Sequence, residues 1–268
     1  MRALSILLLA SACGRVDFDL LAAPGDGAPS SDATSGDGTS AFCSGQATAC
    51  PSGATFCEDF ETSSAATFPN WDLVRLANWN TAGAADPSTS MTATGAPCRG
   101  NRSALGHTLG EAQVAFLYKA LSSRPNPLYA RMWFRIGPSS SDLDFELFGL
   151  HDTPNNTFIN IGLDRSAASI GVNVVGFTSS AASGAPATVA IDRWTCFELG
   201  ILFDSATGGS LSVKIDGTTL LDKMNVTTEG SAPLDRIAIG VISQLGETGT
   251  FDVAFDDLVI SGTPIGCN

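Results

Sequence analysis

Residues 128–152 carry the side chains whose types and spacing best suit chemistry, in two stretches that predict β-strands. Strand side chains alternate between two faces, so each stretch has one apolar face and one face of charged or aromatic groups. If the two strands pair with each other, guanidinium, indole and carboxylate groups lie side by side on one surface. The residues concerned are Arg131, Trp133 and Arg135 in the first stretch and Asp142, Asp144 and Glu146 in the second.

This set of side chains suits carbohydrate recognition. An aromatic plane packs against the C–H face of a sugar ring, while guanidinium and carboxylate groups bind its hydroxyls. Trp133 lies between two arginines and would face Asp144 and Glu146 across the strand pair. The alternative is a solvated sheet face with cross-strand salt bridges.

The elements that must position these residues are predicted to be strands. Apolar alternation recurs in short runs separated by clusters of Gly, Pro, Asn, Asp and Ser, and no stretch has the pattern of a capped amphipathic helix. About a dozen short strands in one unit predict an all-β fold, a two-sheet antiparallel sandwich or jelly roll. Beyond residues 128–148, the predicted strands cover residues 56–61, 112–121, 157–163, 170–176, 194–204, 211–216, 236–243 and 250–261.

Two segments outside these strands are predicted to be loops. Residues 68–80 hold Trp71 and Trp79 among polar residues, and residues 88–102 are rich in Ser, Thr, Gly and Pro. Asp216-Gly217 predicts a tight turn at the end of a strand. Trp194 is predicted to be structural.

The chain has 268 residues, of which 14 are basic and 27 acidic, and its formal net charge is −13. This length allows one all-β domain with a large core, together with extensions. The acidic balance argues against nucleic acid as a partner, because phosphate binding needs a basic surface. It is typical of a soluble exported protein.

Residues 1–12 predict a signal peptide, because a positive start precedes a short apolar run. The run ends in LASAC at residues 9–13, which resembles the lipobox of bacterial lipoproteins. The resemblance implies that Cys13 is lipidated and that this lipid is the only membrane contact. Gly14 follows the cysteine, which by the same resemblance indicates the outer membrane or cell surface of a Gram-negative bacterium.

Residues 13–41 predict a flexible tether, because their Gly, Ser, Ala, Asp and Pro offer too little apolar surface to offset chain entropy. The folded domain is therefore predicted to span residues 42–268.

Seven cysteines leave six when Cys13 is set aside, and six predict three disulfides whose pairing stays open. The absence of a short C-x-x-C spacing and the presence of only two histidines disfavour a metal cluster. The six are Cys43, Cys50, Cys57, Cys98, Cys196 and Cys267.

Three segments together carry a family resemblance: FCEDFE at residues 56–61, RWTCFEL at residues 193–199, and FDDLVIS at residues 255–261, followed by Ile265-Gly266-Cys267. They resemble concanavalin A-like (lectin/glucanase, LamG-like) jelly-roll domains of bacterial surface lipoproteins. There a W-x-x-x-E strand, a strand ending in a D-G turn and a closing D-D-L/V-x-V/I strand occur in this order. The resemblance covers about residues 54–268 and implies two stacked sheets, one with a concave ligand-binding face. The fold hosts lectins, hydrolases, lyases and spacers, so it names no substrate.

Residues 142–146 resemble the Glu-x-Asp-x-Glu strand of family 16 glycoside hydrolases. The resemblance implies Glu146 as acid/base, Asp144 as the residue that tunes the pair, and Asp142 in the place of the nucleophile Glu. Strand Cα atoms four residues apart are separated by about 13 Å, whereas a retaining mechanism needs carboxyl groups about 5–5.5 Å apart. The shorter side chain of Asp142 therefore disfavours hydrolysis.

A polysaccharide lyase is the other catalytic alternative. It needs a cation that neutralises a uronate carboxylate and a Tyr or His as base. Arg131 and Arg135 can supply the cation, and Tyr129 or His151 the base. Strand alternation puts His151 on the face opposite Glu146 unless a bulge intervenes.

A structural Ca²⁺ is predicted between the first and last strands, as in many jelly rolls. Calcium takes about six to eight oxygens, so carboxylates would form part of its shell. The alternative is that these acids cap turns or pair with arginine. They are Glu58, Asp59, Asp256 and Asp257, with Glu61 nearby.

We predict an exported, lipid-anchored surface protein that binds a glycan or surface polymer on its concave sheet without cleaving it. The predicted ligand-binding residues are Arg131, Trp133, Arg135, Asp144, Glu146, Asn160 and Glu198, with Asn173 and Lys214 as further candidates. One alternative is a glycan-degrading enzyme, with Asp142, Asp144, Glu146 and His151 as catalytic candidates. The other is a structural or adhesive surface domain.

Overall fold

A computed structural model gives the fold of the chain. It describes Cys43 and residues 50–78, 84–138, 145–152, 158–166, 169–175, 182–183, 189–230, 232–243 and 249–267. These residues belong to one compact unit, Asp37–Asn268. Among these described residues, no helix is long and apolar enough to cross a membrane. The predicted signal peptide, the predicted lipid site at Cys13 and the predicted tether lie outside the described residues.

The regular elements of the described chain are strands, numbered here in chain order. They are β1 (Ala54–Glu58), β2 (Leu73–Asn78), β3 (Ala84–Ala85), β4 (Ser90–Thr94), β5 (Ser103–Leu109), β6 (Gln113–Ala120), β7 (Leu128–Ile136), β8 (Phe145–His151), β9 (Phe158–Ser166), β10 (Ser169–Val175), β11 (Ala182–Ser183), β12 (Trp194–Leu202), β13 (Gly209–Ile215), β14 (Thr218–Val226), β15 (Arg236–Ser243) and β16 (Thr250–Ser261).

These strands form two antiparallel sheets of eight strands each. The first sheet has the order β14-β13-β12-β7-β16-β5-β4, and β1 also pairs with β16. The second sheet has the order β11-β10-β9-β8-β15-β6-β2-β3. The chain passes repeatedly from one sheet to the other, as in a jelly roll. The predicted all-β, two-sheet jelly roll is confirmed.

The hydrophobic core lies between the sheets, because strand alternation turns one apolar face of each sheet inward. In β7, Met132, Phe134 and Ile136 are at most 1% exposed and belong to this core. In β15 of the second sheet, Ile237 and Ile239 are fully buried and belong to the same core. We call the face of either sheet that points away from this core its outer face.

The tight turn predicted at Asp216-Gly217 joins β13 to β14. Both residues have positive φ, 48° and 76° respectively. A two-residue turn of this handedness matches the twist of the flanking strands, and Asp-Gly adopts it readily. Ile215 and Thr218 pair directly on either side of it.

The two strands within residues 128–148 do not pair with each other, so the condition for one shared surface is not met. β7 pairs with β12 and β16 in the first sheet, whereas β8 pairs with β15 and β9 in the second. A connecting loop can close a hairpin or carry the chain across the core, and the alternation of the flanking strands is the same in both cases. The arginines of β7 and Glu146 of β8 therefore lie in different sheets.

Strands also form in both segments that were predicted to be loops. β2 pairs with β6 in the second sheet, and β4 pairs with β5 at the edge of the first. Pairing with neighbouring strands overrides the weak strand propensity of these polar segments. Trp71, just before β2, is 7% exposed and stacks on Phe60 at 6.4 Å between ring centroids. Trp79 lies outside the described residues.

The six cysteines form three disulfides, as predicted. The pairs are Cys43–Cys98, Cys50–Cys57 and Cys196–Cys267. Disulfides form and persist in oxidising compartments. The first and third pairs also pack against the outer face of the first sheet, which decides what remains accessible there.

Candidate functional site

Trp133 lies on the outer face of the first sheet, as alternation predicts, but it is covered. It is 1% exposed and packs against Trp194, Cys98 and Cys196 in a cluster that also includes Cys267. Its ring is therefore closed to a sugar in this structure, contrary to the predicted stacking role. Trp194 is 7% exposed and has the structural role predicted for it.

The two arginines beside Trp133 have protein partners. Arg131 is 4% exposed and is in register with Glu198 on β12. Burial lowers the pKa of Arg131, while the nearby charge of Asp257 opposes that effect. Arg135 forms an ion pair with Asp192 at 3.4 Å. Both arginines therefore lie near carboxylates of the protein itself.

The remaining predicted ligand residues are divided between the sheets. Glu198 and Lys214 face each other in register in the first sheet, whereas Glu146, Asn160 and Asn173 belong to strands of the second. The structure thus does not bring the predicted set together. Asp142 and Asp144, which complete the hydrolase-like motif, lie outside the described residues.

Asp256, one of the predicted calcium ligands, holds the loop between β4 and β5. Its Oδ2 accepts the backbone N–H groups of Cys98 at 2.8 Å and Arg99 at 3.0 Å, and its Oδ1 accepts that of Asp257 at 2.8 Å. Burial raises the pKa of Asp256 to about 8, although these donors act in the opposite direction. Asp257 lies 3.7 Å from the guanidinium of Arg99.

Glu58 and Asp59 take part in a turn after β1. Glu58 Oε1 accepts the N–H of Phe60 at 2.7 Å, and Asp59 Oδ1 accepts that of Glu61 at 3.1 Å. Burial raises the pKa of Glu58. Within the described part of the chain, no group of three or more His, Cys, Asp and Glu residues is arranged to hold a metal ion. The geometry of these acids therefore gives no support to the calcium site, which stays a prediction.

A different cluster of side chains lies on the outer face of the second sheet. We call it the arginine–histidine face, and it consists of Arg75 (β2), Tyr118 (β6), His151 (β8) and Arg236 (β15). Arg236 and His151 are directly opposite in the β15–β8 register. The rings of Tyr118 and His151 meet edge to face, with centroids 5.5 Å apart. The guanidinium of Arg236 lies 6.0 Å from the centre of the Tyr118 ring.

A bulge gives His151 this position. The β8 register shifts between Glu146 and Phe148 against both neighbouring strands, so Leu147 and Phe148 both join the core. A bulge reverses the alternation of the residues that follow it. The bulge that moves His151 away from the face opposite Glu146 is therefore present.

The electrostatics of this face favour a neutral imidazole between two cations. Burial, together with the charges of Arg236 and Arg75, lowers the pKa of His151 to about 4, and Asp152 acts in the opposite direction. His151 is therefore neutral at neutral pH. Arg75 is exposed and Arg236 is half-buried, so both guanidinium groups can reach a ligand. The face can therefore bind a carboxylate beside a neutral imidazole.

Sequence reasoning missed Arg75, Tyr118 and Arg236. The alternation of Val114, Phe116 and Tyr118 was readable as one face of a strand. That signal does not say that β6 lies between β2 and β15, and only this order brings the three residues to His151.

Comparison with known proteins identifies the fold. No protein-family model matches the chain, and no curated protein matches it in sequence. A solved endo-β-1,4-glucuronan lyase from the fungus Trichoderma reesei superimposes with a TM-score of 0.58 at 12% identity, over 78% of this chain and 96% of that one. The cellulose-induced protein Cip1 gives 0.57 at 15% identity, over 80% and 100%.

A PL-14 alginate lyase from Aplysia kurodai gives a TM-score of 0.53 at 9% identity, over 77% of this chain and 98% of that one. At such identities the likeness concerns the backbone arrangement alone. The chain is a β-sandwich jelly roll of the kind found in these three proteins.

Proposed function

We propose that the protein binds an anionic, uronate-containing glycan on the arginine–histidine face. The observation that carries this proposal is that Arg75 and Arg236 lie near the paired rings of Tyr118 and His151. These two cations lie together on a protein whose formal net charge is −13. A guanidinium group matches a carboxylate with two parallel hydrogen bonds, which suits a uronate. Proteins of this fold that act on glucuronan and alginate support this ligand class.

The test is retention of the purified chain on alginate and polyglucuronate, with cellulose as the neutral polymer. Arg75→Ala and Arg236→Ala should each weaken binding to the acidic polymers by about tenfold, as expected for loss of one charged contact. Arg193→Ala is the matched control, because Arg193 is also solvent-accessible but pairs with Asp216 near the first sheet. Unchanged retention of the Arg75→Ala/Arg236→Ala double variant on the acidic polymers would contradict the proposal.

A second candidate function is β-elimination of the same glycan, favoured by the neutral His151 in contact with Tyr118. An arginine would neutralise the uronate carboxylate, and His151 would take the proton from C5. The electron pair of that bond would form C4=C5 as the C4–O4 bond breaks, and Tyr118 would give its hydroxyl proton to the leaving oxygen. This reaction needs no co-reactant.

Lyase activity is measured by the ultraviolet absorbance of the unsaturated product. His151→Gln and Tyr118→Phe should abolish product formation while acidic-polymer retention stays within about threefold. If the unaltered chain is retained on the acidic polymers but forms no unsaturated product, its function is non-catalytic binding. Neither retention nor product would favour the structural or adhesive role.

We further propose that the domain is exported and anchored through a lipid on Cys13, with residues 13–41 as the tether. Three disulfides support an oxidising destination. Labelled palmitate should be incorporated when the full chain is expressed in a Gram-negative host, and Cys13→Ser should abolish the label. Equal labelling of both chains, or none, would contradict the anchor.

A further inference from the structure

The outer face of the first sheet has a second feature, away from the disulfide-covered cluster around Trp133. It is a shallow depression of about 210 Å³ between β7, β12, β13 and β14. Drug-sized ligands occupy pockets of about 300–1,000 Å³, so this one has room for a single sugar ring. The residues of its lining that matter here are Tyr129, Gly200, Leu202, Ser210, Ser212 and Asp222.

Four of these residues form one row across the sheet. Tyr129 is in register with Gly200, Gly200 with Ser212, and Ser212 with Asp222. Cross-strand partners share a face, so an aromatic ring, a hydroxyl and a carboxylate follow one another along this row.

Gly200 lets the tyrosine ring lie low against the sheet. A Cβ at position 200 would lie 3.2 Å from Tyr129 Cε1 and 2.7 Å from Ser212 Oγ. Any side chain there would push the ring and the hydroxyl apart. The half-buried Tyr129 ring and the Ser212 hydroxyl thus both lie over Gly200.

The next row continues the depression with apolar and polar groups. Leu202 is 37% exposed and is in register with Ser210, which is opposite Met224, itself 64% exposed. Sugar sites combine such apolar surface with a few hydrogen-bonding groups.

The charge of the depression favours a neutral glycan over an acidic one. Asp222 is exposed and contributes a negative charge, and none of the lining residues that the structure describes is Lys or Arg. Lys214 belongs to the adjacent row, where it faces Glu198. A carboxylate accepts two hydroxyl hydrogen bonds from a vicinal diol, whereas it repels a uronate.

We propose that this depression, the Tyr129 subsite, binds one unit of a neutral pyranose chain. The sugar ring packs on Tyr129 and Leu202, and its hydroxyls bind Asp222 and Ser212. The subsite lies in the other sheet from the arginine–histidine face, so a polymer can be held there whether or not the acidic-glycan proposal holds.

The test titrates the full-length chain with cellotetraose, mannotetraose and xylotetraose, followed by NMR and calorimetry, with tetragalacturonate as the acidic comparison. At least one neutral tetrasaccharide should bind. Tyr129→Ala and Asp222→Asn should each weaken it by about tenfold, and Tyr129→Phe by less than about threefold, because the ring is kept. Two controls should leave the affinity for the neutral tetrasaccharide unchanged. One is Thr219→Ala, which changes an exposed residue of β14 outside the lining, and the other is the Arg75→Ala/Arg236→Ala double variant.

Asp222→Asn keeps the test valid if Tyr129→Ala fails to fold, because Asp222 is an exposed residue whose removal leaves the core intact. Absence of binding by all three neutral tetrasaccharides would overturn the subsite. Binding that Asp222→Asn leaves intact would also overturn it, and loss of that binding in Arg75→Ala would place the ligand on the other sheet.

Discussion

His151 shows how the burial of one residue links the fold to pH. Its folded pKa of about 4 is below the value of about 6.5 for an unfolded histidine. The unfolded chain therefore binds more protons between these values, and stability is lost as the pH falls below 6.5 toward 4. Above pH 6.5 both states hold a neutral imidazole and this contribution is complete.

The corresponding prediction concerns unfolding at pH 7 and pH 5. The free energy of unfolding should fall by roughly 1–2 kcal/mol through His151 over this interval. Urea unfolding of the unaltered chain and of His151→Gln at both pH values isolates the group, because the other titrating residues are shared. An identical pH dependence of the two chains would show that His151 does not titrate as stated.

Asp256 gives a second prediction for a single residue. Both of its carboxyl oxygens accept backbone N–H groups, and an amide has only one acceptor oxygen. Asp256→Asn therefore leaves at least one buried donor without an acceptor, at a cost of about 1–3 kcal/mol. Asp252→Asn is the control on the same strand: its contact with His107 Nδ1 is partly exposed, so its loss should cost under about 1 kcal/mol. Similar denaturation midpoints of the two variants would contradict the role of Asp256.

Among the elements, β15 depends on a close approach that only glycine allows. Gly240 has φ 152°, and a Cβ there would lie 2.0 Å from the Ala115 carbonyl oxygen and 2.2 Å from Phe116 Cδ1 on β6. The β15 register against β8 shifts between Ile239 and Ile242. The irregular stretch that includes Gly240 thus lies between the strands that carry Tyr118 and His151.

Gly240→Ala should therefore destabilise the fold by about 3 kcal/mol or more, because backbone atoms must move to admit one methyl group. Gly95→Ala is the matched control, since a Cβ there meets nothing within 4 Å. Thermal unfolding of both variants measures the difference. A soluble Gly240→Ala chain as stable as Gly95→Ala would refute the packing argument.

On the scale of the whole molecule, the net charge of −13 opposes the approach of a polyanion that the two arginines attract. Screening lengths are about 30 Å at 0.01 M salt, 8 Å at 0.15 M and 3 Å at 1 M. Repulsion from the whole molecule acts over long distances, whereas the arginine contacts act over short ones.

Retention on alginate should therefore rise between 0.01 M and 0.15 M salt and fall again toward 1 M. The Arg75→Ala/Arg236→Ala double variant should show no such maximum of retention at intermediate salt. Affinity electrophoresis across this salt series measures it. A monotonic decrease from the lowest salt would mean that attraction dominates at every distance, against the stated balance.

Features that depend on local pattern could be predicted from the amino-acid order alone. The period-two alternation of β7 assigned Met132 and Phe134 to the core, and Asp216-Gly217 marked a turn, because both signals arise within a few residues. The cysteine count indicated three disulfides without their pairs.

The tertiary structure decided which strands are neighbours and which faces stay open. Residues 128–152 alternate as a hairpin would, yet β7 and β8 join different sheets. Trp133 alternates as a surface residue would, yet disulfides from both ends of the described chain cover it. Strand pairing and coverage are set by contacts between residues far apart in sequence. The same long-range order brought Arg75, Tyr118 and Arg236 to His151.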